Sequence, residues 1–104
     1  MKNCIIYCTV PNEFNANLIA TTLVEENLAA CVNILPAVTS VYRWNDKAQE
    51  DKELLLMIKT REERFTDVEK KIKELHEYTV PEIIAVPIIQ GSEEYQNWIV
   101  NETK

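Results

Sequence analysis

The sequence contains very few of the residues on which common cofactor and metal motifs depend. Its 104 residues include one glycine, Gly91, and one histidine, His76. A single glycine excludes the glycine-rich turns that hold dinucleotides and nucleoside triphosphates. The three cysteines, Cys4, Cys8 and Cys31, form no CxxC pair, which excludes zinc fingers and dithiol redox motifs. The chain therefore lacks the standard sequence motifs for nucleotides and for structural zinc.

The charge balance and the apolar segments limit the partners and the compartment. The net charge is −6 and the pI is about 4.8, so the basic surface that holds a phosphate backbone is missing and we expect no nucleic-acid partner. The first apolar segment stops at Pro11 and is too short for a signal peptide or a membrane span. Three scattered thiols fit a reducing compartment. We expect a cytoplasmic protein without membrane contact.

The length predicts a single domain over residues 1–104. Hydrophobic residues make up 46% of the chain, which is enough for one buried core without disulfides or structural metals. Their spacing alternates between strand and helix patterns. The predicted elements are a strand at 3–10, a helix at 13–26, a strand at 29–44, a strand entered through 49–53 and continuing to 58, a helix ending near His76, a strand at 83–89 and a short helix after Ser92.

Several polar residues and one proline mark the ends or interruptions of these elements. Asn12 is a predicted N-cap and Asn27 a predicted left-handed stop for the first helix, and Ser92 is a predicted N-cap for the terminal helix. Thr60 and Glu63 have the spacing of a capping box before the second helix. Pro36 interrupts the long strand, which predicts an edge position or a bulge there.

The order β-α-β-β-α-β followed by a terminal helix is that of a ferredoxin-like α+β domain. In this topology the first strand lies between the third and fourth strands, and both long helices cover one face of the sheet. The hairpin of the second and third strands is longer than such a domain needs. The other face stays open although its strands are apolar, so we expect a closed homo-oligomer to cover it.

Three side chains with metal-binding chemistry fall at one end of this topology. Cys8 lies near the end of the first strand, His76 at the end of the second helix, and Glu82 before the fourth strand. Cys31 begins the second strand and Cys4 lies near the start of the first, so neither reaches this end. A thiolate, an imidazole and a carboxylate suit copper or zinc better than magnesium or calcium. The sequence therefore predicts a metal site formed by Cys8, His76 and Glu82.

The same end of the fold permits other interpretations. Cys8 fits a buried core position, and His76 fits a charged group at a helix end. Glu82 and His76, with Tyr78 or Tyr42 as a donor, would suit acid–base catalysis, and a nucleophilic site would need Cys8 in contact with His76. Nothing in the spacing requires an enzyme.

The aromatic and charged residues of the hairpin and the terminal helix also have structural interpretations. Tyr42, Trp44 and Trp98 are predicted to be core or oligomer-interface residues, because large aromatic side chains dominate both kinds of burial. The charged run from Glu50 to Glu53 is predicted to be a solvated face of the hairpin.

Four stretches of the chain resemble the CutA divalent-cation tolerance family, in the order in which that family has them. They are LAACVNILPAVTSVYRW (28–44), LLLMIKT (54–60), HEYTVPEIIAVPI (76–88) and GSEEYQNWI (91–99). The resemblance implies a ferredoxin-like fold in a compact homotrimer, similar to the PII signalling proteins, in which the long hairpin reaches a neighbouring subunit. It also implies binding of divalent cations, copper first, tolerance of these ions, and no established catalytic activity.

The resemblance also bears on individual residues. The family's proposed metal ligands match Cys8 in YCTVP, His76 in HEY and Glu82 in VPE. Glu77 stands where many relatives have proline, which adds a carboxylate and is expected to loosen the backbone beside His76. An alternative function, by analogy with the PII proteins, is a signalling or scaffold trimer that binds a small metabolite or a protein partner in the cleft between subunits.

Overall fold

A computed structural model describes residues 2–104 and contains four strands, three α-helices and one short 3₁₀ turn. These elements are β1 (Asn3–Val10), α1 (Glu13–Glu25), β2 (Cys31–Trp44), β3 (Lys47–Arg61), the 3₁₀ turn (Glu62–Arg64), α2 (Phe65–Leu75), β4 (Ile84–Pro87) and α3 (Glu93–Glu102). The order agrees with the predicted one. None of the helices in residues 2–104 is long and apolar enough to cross a bilayer.

The four strands form one antiparallel sheet in the order β2-β3-β1-β4. In β1, Cys8 lies opposite Leu56 of β3, and Tyr7 lies opposite both Met57 of β3 and Ile84 of β4. This is the strand order of the predicted ferredoxin-like fold, and it is confirmed. β4 is shorter than the predicted strand at 83–89.

The helix layer covers one face of the sheet and closes the core. Alternate residues of β1 point into this layer, because successive side chains of a strand face opposite sides. Both α1 and α2 contribute to the same buried cluster, α2 through Val68 and Ile72. The buried cluster consists of Cys4, Ile6, Cys8, Val10, Ala16, Ile19, Leu23, Ala29, Leu56, Ile58, Val68 and Ile72.

The other face of the sheet keeps an uncovered apolar surface. α3 is bonded to this sheet where β1 begins, because Nδ2 of Asn3 donates to Oε1 of Gln96 at 2.7 Å. On the same face, Leu35, Ile84 and Val86 are each more than a third exposed. The predicted open, apolar face is therefore present in the single chain.

The hairpin of β2 and β3 projects beyond the core. Every residue from Val41 to Lys52 is exposed, and the chain measures 44 × 25 × 22 Å. β2 is an edge strand, and its register shifts between Leu35 and Val38, so both expectations for Pro36 are confirmed. The tip turns through Asn45 and Asp46 at φ 51° and 61°, the left-handed pair that a two-residue hairpin turn requires.

Three of the four predicted capping features are present. The side chain of Asn12 caps α1, Ser92 caps α3, and Asn27 has the left-handed φ of 59° expected after α1. The prediction of a capping box formed by Thr60 and Glu63 is wrong, because α2 begins at Phe65 without a side-chain cap. Thr60 still belongs to β3, and its hydroxyl donates to the carbonyl of Leu28 at 2.7 Å.

Candidate functional site

The structure places the three predicted ligands at the same end of the sheet. Cys8 is the third residue from the end of β1, His76 follows the last residue of α2, and Glu82 lies two positions before the first residue of β4. Burial raises the pKa of the Cys8 thiol, and the negative charge of Glu82 adds to this rise, so Glu82 lies near enough to act on Cys8. His76 contacts the backbone of Thr9, the neighbour of Cys8. Their role as metal ligands stays a prediction.

His76 is buried, and both of its ring nitrogens are engaged by backbone groups. Nδ1 accepts the N–H of Tyr78 at 3.0 Å, so this nitrogen carries a lone pair rather than a proton. The proton is then on Nε2, which donates to the carbonyl of Thr9 at 2.8 Å. The ring also lies beside that of Tyr78, with centroids 4.9 Å apart. His76 is therefore an internal hydrogen-bonded residue and not a surface charge at the helix end.

Cys8 lies in the apolar core and holds its proton strongly. The side chain is fully buried, and its Sγ lies 3.8 Å from the carbonyl oxygen of Thr9, to which it donates. Burial, with smaller effects from the charges of Glu82 and Glu53, raises the pKa of the thiol to about 12. A thiol that stays protonated is a poor nucleophile. The chain shows no hydrogen bond between Cys8 and His76 in residues 2–104, so the geometry of a Cys–His nucleophile is not formed.

Glu53 belongs to this end of the fold, and its prediction as a solvated residue is wrong. It is only 7% exposed, and its Oε2 accepts the hydroxyl of Tyr78 at 2.8 Å. Burial, followed by this hydrogen bond, raises the pKa of Tyr78 above its ordinary value. Local sequence patterns do not reveal this environment, because the hydrogen-bond partner Tyr78 lies 25 residues later in the chain. The only local signal was its position directly before the apolar run at Leu54.

The second tyrosine named for acid–base chemistry has a separate partner on the hairpin. The hydroxyl of Tyr42 donates to the carboxylate of Asp51. This bond is the main reason that the pKa of Tyr42 is raised. Tyr42, Trp44 and Trp98 are each 40% exposed or more, so none of them belongs to the core of the single chain.

Glu77 is tied to the start of α1. Its carboxylate accepts from Nδ2 of Asn12 at 3.2 and 3.3 Å, and its backbone N–H donates to Oδ1 of Asn15 at 3.3 Å. A proline at this position would have no N–H to donate. The structure therefore shows the segment after His76 held by hydrogen bonds, where a looser backbone was expected.

The candidate ligands are not preassembled within one chain. Among residues 2–104, no three side chains of His, Cys, Asp or Glu lie close enough together to hold a metal ion. A cation bound here would have to displace hydrogen bonds that the residues now make, or draw a ligand from elsewhere.

Comparison with known proteins identifies the family. The family model described as CutA1 divalent ion tolerance protein matches residues 4–102. The chain belongs to the CutA family. It is 50% identical over 99 residues to the divalent-cation tolerance protein CutA of Thermus thermophilus, covering 95% of this chain and 96% of that protein. It is 46% identical over 104 residues to the chloroplastic CutA protein of Arabidopsis thaliana, covering all of this chain and 57% of that protein.

Solved CutA structures have the same fold. The crystal structure of CutA1 from Oryza sativa matches with a TM-score of 0.97 and 44% sequence identity, and the match covers 100% of this chain and 95% of that one. The chain therefore has the CutA fold, and its family is named for tolerance of divalent cations.

Proposed function

We propose that this chain is a cytoplasmic, homotrimeric CutA protein that binds divalent cations, copper first, and that it contributes to tolerance of these ions without catalysing a reaction. Membership of the CutA family supports the cation class. The donor set of Cys8, His76 and Glu82 supports copper or zinc, because thiolate and imidazole ligands favour these ions over magnesium and calcium.

The observation that carries the proposal is the hydrogen bonding of His76. A metal-bound histidine usually donates its other ring N–H to a carbonyl or carboxylate, and this bond fixes the tautomer and the ring orientation. The bond from Nε2 of His76 to the carbonyl of Thr9 is of this kind. It leaves the lone pair of Nδ1 as the one that a cation would take, in place of the N–H of Tyr78.

The charges around the Cys8 thiol favour a cation and not an anion. Glu82 and Glu53 both act on this thiol, and neither forms a salt bridge with a Lys or Arg in residues 2–104. A thiol with a pKa near 12 must give up its proton to bind a metal as the thiolate. Copper binding through Cys8 should therefore release a proton, which calorimetry in buffers of different ionisation enthalpy measures.

The surface that a single chain leaves uncovered supports a closed oligomer, and the resemblance to the CutA family suggests that it is a trimer. Within residues 2–104, apolar side chains of the open face and every residue of the hairpin from Val41 to Lys52 remain exposed. Burial of this apolar surface between subunits would stabilise a closed oligomer. Because the three ligands are not preassembled in one chain, we place the cation site beside the cleft between subunits.

A copper titration of the purified full chain tests the proposal. The variants are wild type, the double variant Cys8→Ser/His76→Ala, and Cys4→Ser, which changes the other fully buried cysteine of β1. We expect the double variant to lose affinity and Cys4→Ser to keep it. Equal copper affinity in wild type and the double variant would show that Cys8 and His76 do not form the copper site. Stabilisation of the metal-free protein by a small metabolite, without copper binding, would favour the signalling alternative.

A further inference from the structure

We propose that Asn15 is a positioning residue that fixes the His76 imidazole in the orientation a cation would meet. Where it concerns copper, this inference rests on the proposed function. Where it concerns the imidazole itself, it rests only on hydrogen bonds in the metal-free chain. Asn15 lies in the first turn of α1 and is 1% exposed, so its amide depends on protein partners.

The amide of Asn15 holds the backbone on both sides of His76. Nδ2 donates to the carbonyl of Leu75 at 2.9 Å, and Oδ1 accepts the N–H of Glu77 at 3.3 Å. Asn15 is itself held in place, because its backbone N–H donates to the capping Oδ1 of Asn12 at 2.8 Å. The start of α1 therefore holds the two peptide groups that flank His76 by hydrogen bonds.

These hydrogen bonds of Asn15 determine the position of the His76 imidazole. His76 ends α2 with extended backbone at φ −73° and ψ 142°, and its ring must meet Thr9 on one side and the N–H of Tyr78 on the other. Both contacts depend on the path of the backbone at residues 75–77. A buried amide is costly unless it is hydrogen-bonded, and Asn15 directs both ends of its amide to this backbone. Groups that hydrogen-bond a metal ligand directly usually change metal affinity by about 10–100-fold when they are removed, and Asn15, which acts through the backbone, is expected near the lower end of this range.

The test uses the single histidine of the chain as its probe. Because His76 is the only histidine, the ring nitrogens give one set of NMR signals. At one fixed pH, metal-free wild type should show the Nε2–H tautomer alone. In Asn15→Leu we expect a mixture of tautomers, a shifted Tyr78 amide signal and copper binding weaker by ~10-fold or more. The control is Asn17→Leu, at an exposed asparagine of α1 whose side chain donates to the carbonyl of Glu13.

A second pair of variants tests the mechanism. Glu77→Pro removes the N–H that Oδ1 of Asn15 accepts, and the backbone of His76 already has the conformation that residues before proline adopt. In the Glu77→Pro background, Asn15→Leu should disturb the His76 signals less than it does in wild type. If Asn15→Leu does not fold, Asn15→Asp provides the test of the inference. This variant keeps the oxygen that accepts the N–H of Glu77 and loses the N–H that donates to the carbonyl of Leu75.

The outcomes separate this inference from the proposed function. Wild-type ring signals in a folded Asn15→Leu or Asn15→Asp protein would overturn the inference, as would an equal disturbance in Asn17→Leu. Failure of wild type to bind copper would overturn the proposed function, and the ring signals of the metal-free proteins would still decide the role of Asn15.

Discussion

The imidazole of His76 joins the end of α2 to the end of β1, because its Nε2 donates to the backbone carbonyl of Thr9 at 2.8 Å. These two residues lie 67 positions apart in the chain. With the bond from Tyr78 to Nδ1, one buried side chain connects three segments of backbone. His76 therefore stabilises the fold as well as being a candidate ligand.

Replacing His76 with alanine should destabilise the metal-free protein by about 1–3 kcal/mol. The change leaves the Thr9 carbonyl and the Tyr78 N–H without a partner, and an unsatisfied buried polar group costs this order of free energy. Urea denaturation measures the free energy of unfolding. Lys73→Ala, on the exposed side of α2, is the control and should change it by no more than about 0.5 kcal/mol. Equal losses in the two variants would contradict the structural role of His76.

Stability should fall at alkaline pH because of the buried thiols. Burial raises the pKa of Cys8 from 9.0 to about 12. Above about pH 9 the unfolded chain loses this proton, whereas the folded chain keeps it up to about pH 12. The contribution of the Cys8 thiol to the free energy of unfolding is therefore fully present below pH 9 and is lost progressively between pH 9 and about pH 12. One such group changes the free energy of unfolding by about 1.4 kcal/mol per pH unit in this window.

The measurement is a series of urea denaturations between pH 8 and pH 11 on wild type, Cys8→Ala and Cys4→Ala. Burial also raises the pKa of Cys4, to about 11, so each variant should flatten the pH dependence. The effect of Cys8→Ala should persist to higher pH than that of Cys4→Ala. If the free energy of unfolding of Cys8→Ala falls with pH as steeply as that of wild type, the Cys8 thiol is not the group that causes the loss of stability.

Features governed by neighbours in the chain were predictable from the sequence. Asn12 and Ser92 cap their helices because the side chain of a cap reaches N–H groups within three residues. Asn27 ends α1 because a short polar residue tolerates the left-handed conformation. The placement of Cys8 and His76 at one end followed from strand and helix directions, which topology alone determines.

Features governed by distant partners were not predictable in this way. Thr60 has the spacing of a capping residue, but its hydroxyl bonds the carbonyl of Leu28, 32 residues earlier. Glu53 stands in a charged run typical of a solvated hairpin, but it is buried and accepts a hydrogen bond from the hydroxyl of Tyr78, 25 residues later. The tautomer of His76 depends on the path of residues 76–78, and no periodicity or spacing describes that path.

The bulge in β2 offers a substitution that should stabilise the protein. Ala37 has a φ of 60°, and an L-residue in this left-handed conformation costs about 1–2 kcal/mol. Glycine removes this strain but loses about 0.5–1 kcal/mol through the greater freedom of the unfolded chain. Ala37→Gly should therefore raise the free energy of unfolding by about 0.5–1 kcal/mol. Ala48→Gly, on the exposed part of β3, has no strain to relieve and should lower it. Thermal denaturation in parallel should show melting temperatures that move in opposite directions.

The open face of the sheet should determine the oligomeric state. Ile84 lies on this face in β4, opposite Tyr7, and is 52% exposed in the single chain. If the face is buried between subunits, Ile84→Glu would put a carboxylate into an apolar interface, and a buried charge without a partner is strongly unfavourable. We expect wild type to sediment with the mass of a trimer and Ile84→Glu to dissociate.

Phe14→Glu is the matched control for this experiment. Phe14 lies on α1, in the helix layer, and is 74% exposed, so it presents more apolar surface than Ile84 does. If exposure alone caused association, Phe14→Glu would dissociate the protein at least as strongly. If the open face is the interface, Phe14→Glu keeps the wild-type mass. Dissociation caused by Phe14→Glu and not by Ile84→Glu would show that the helix layer, and not the open face, holds the subunits together. A monomeric wild type would show that no subunit interface exists, and the cation site would then have to form within one chain.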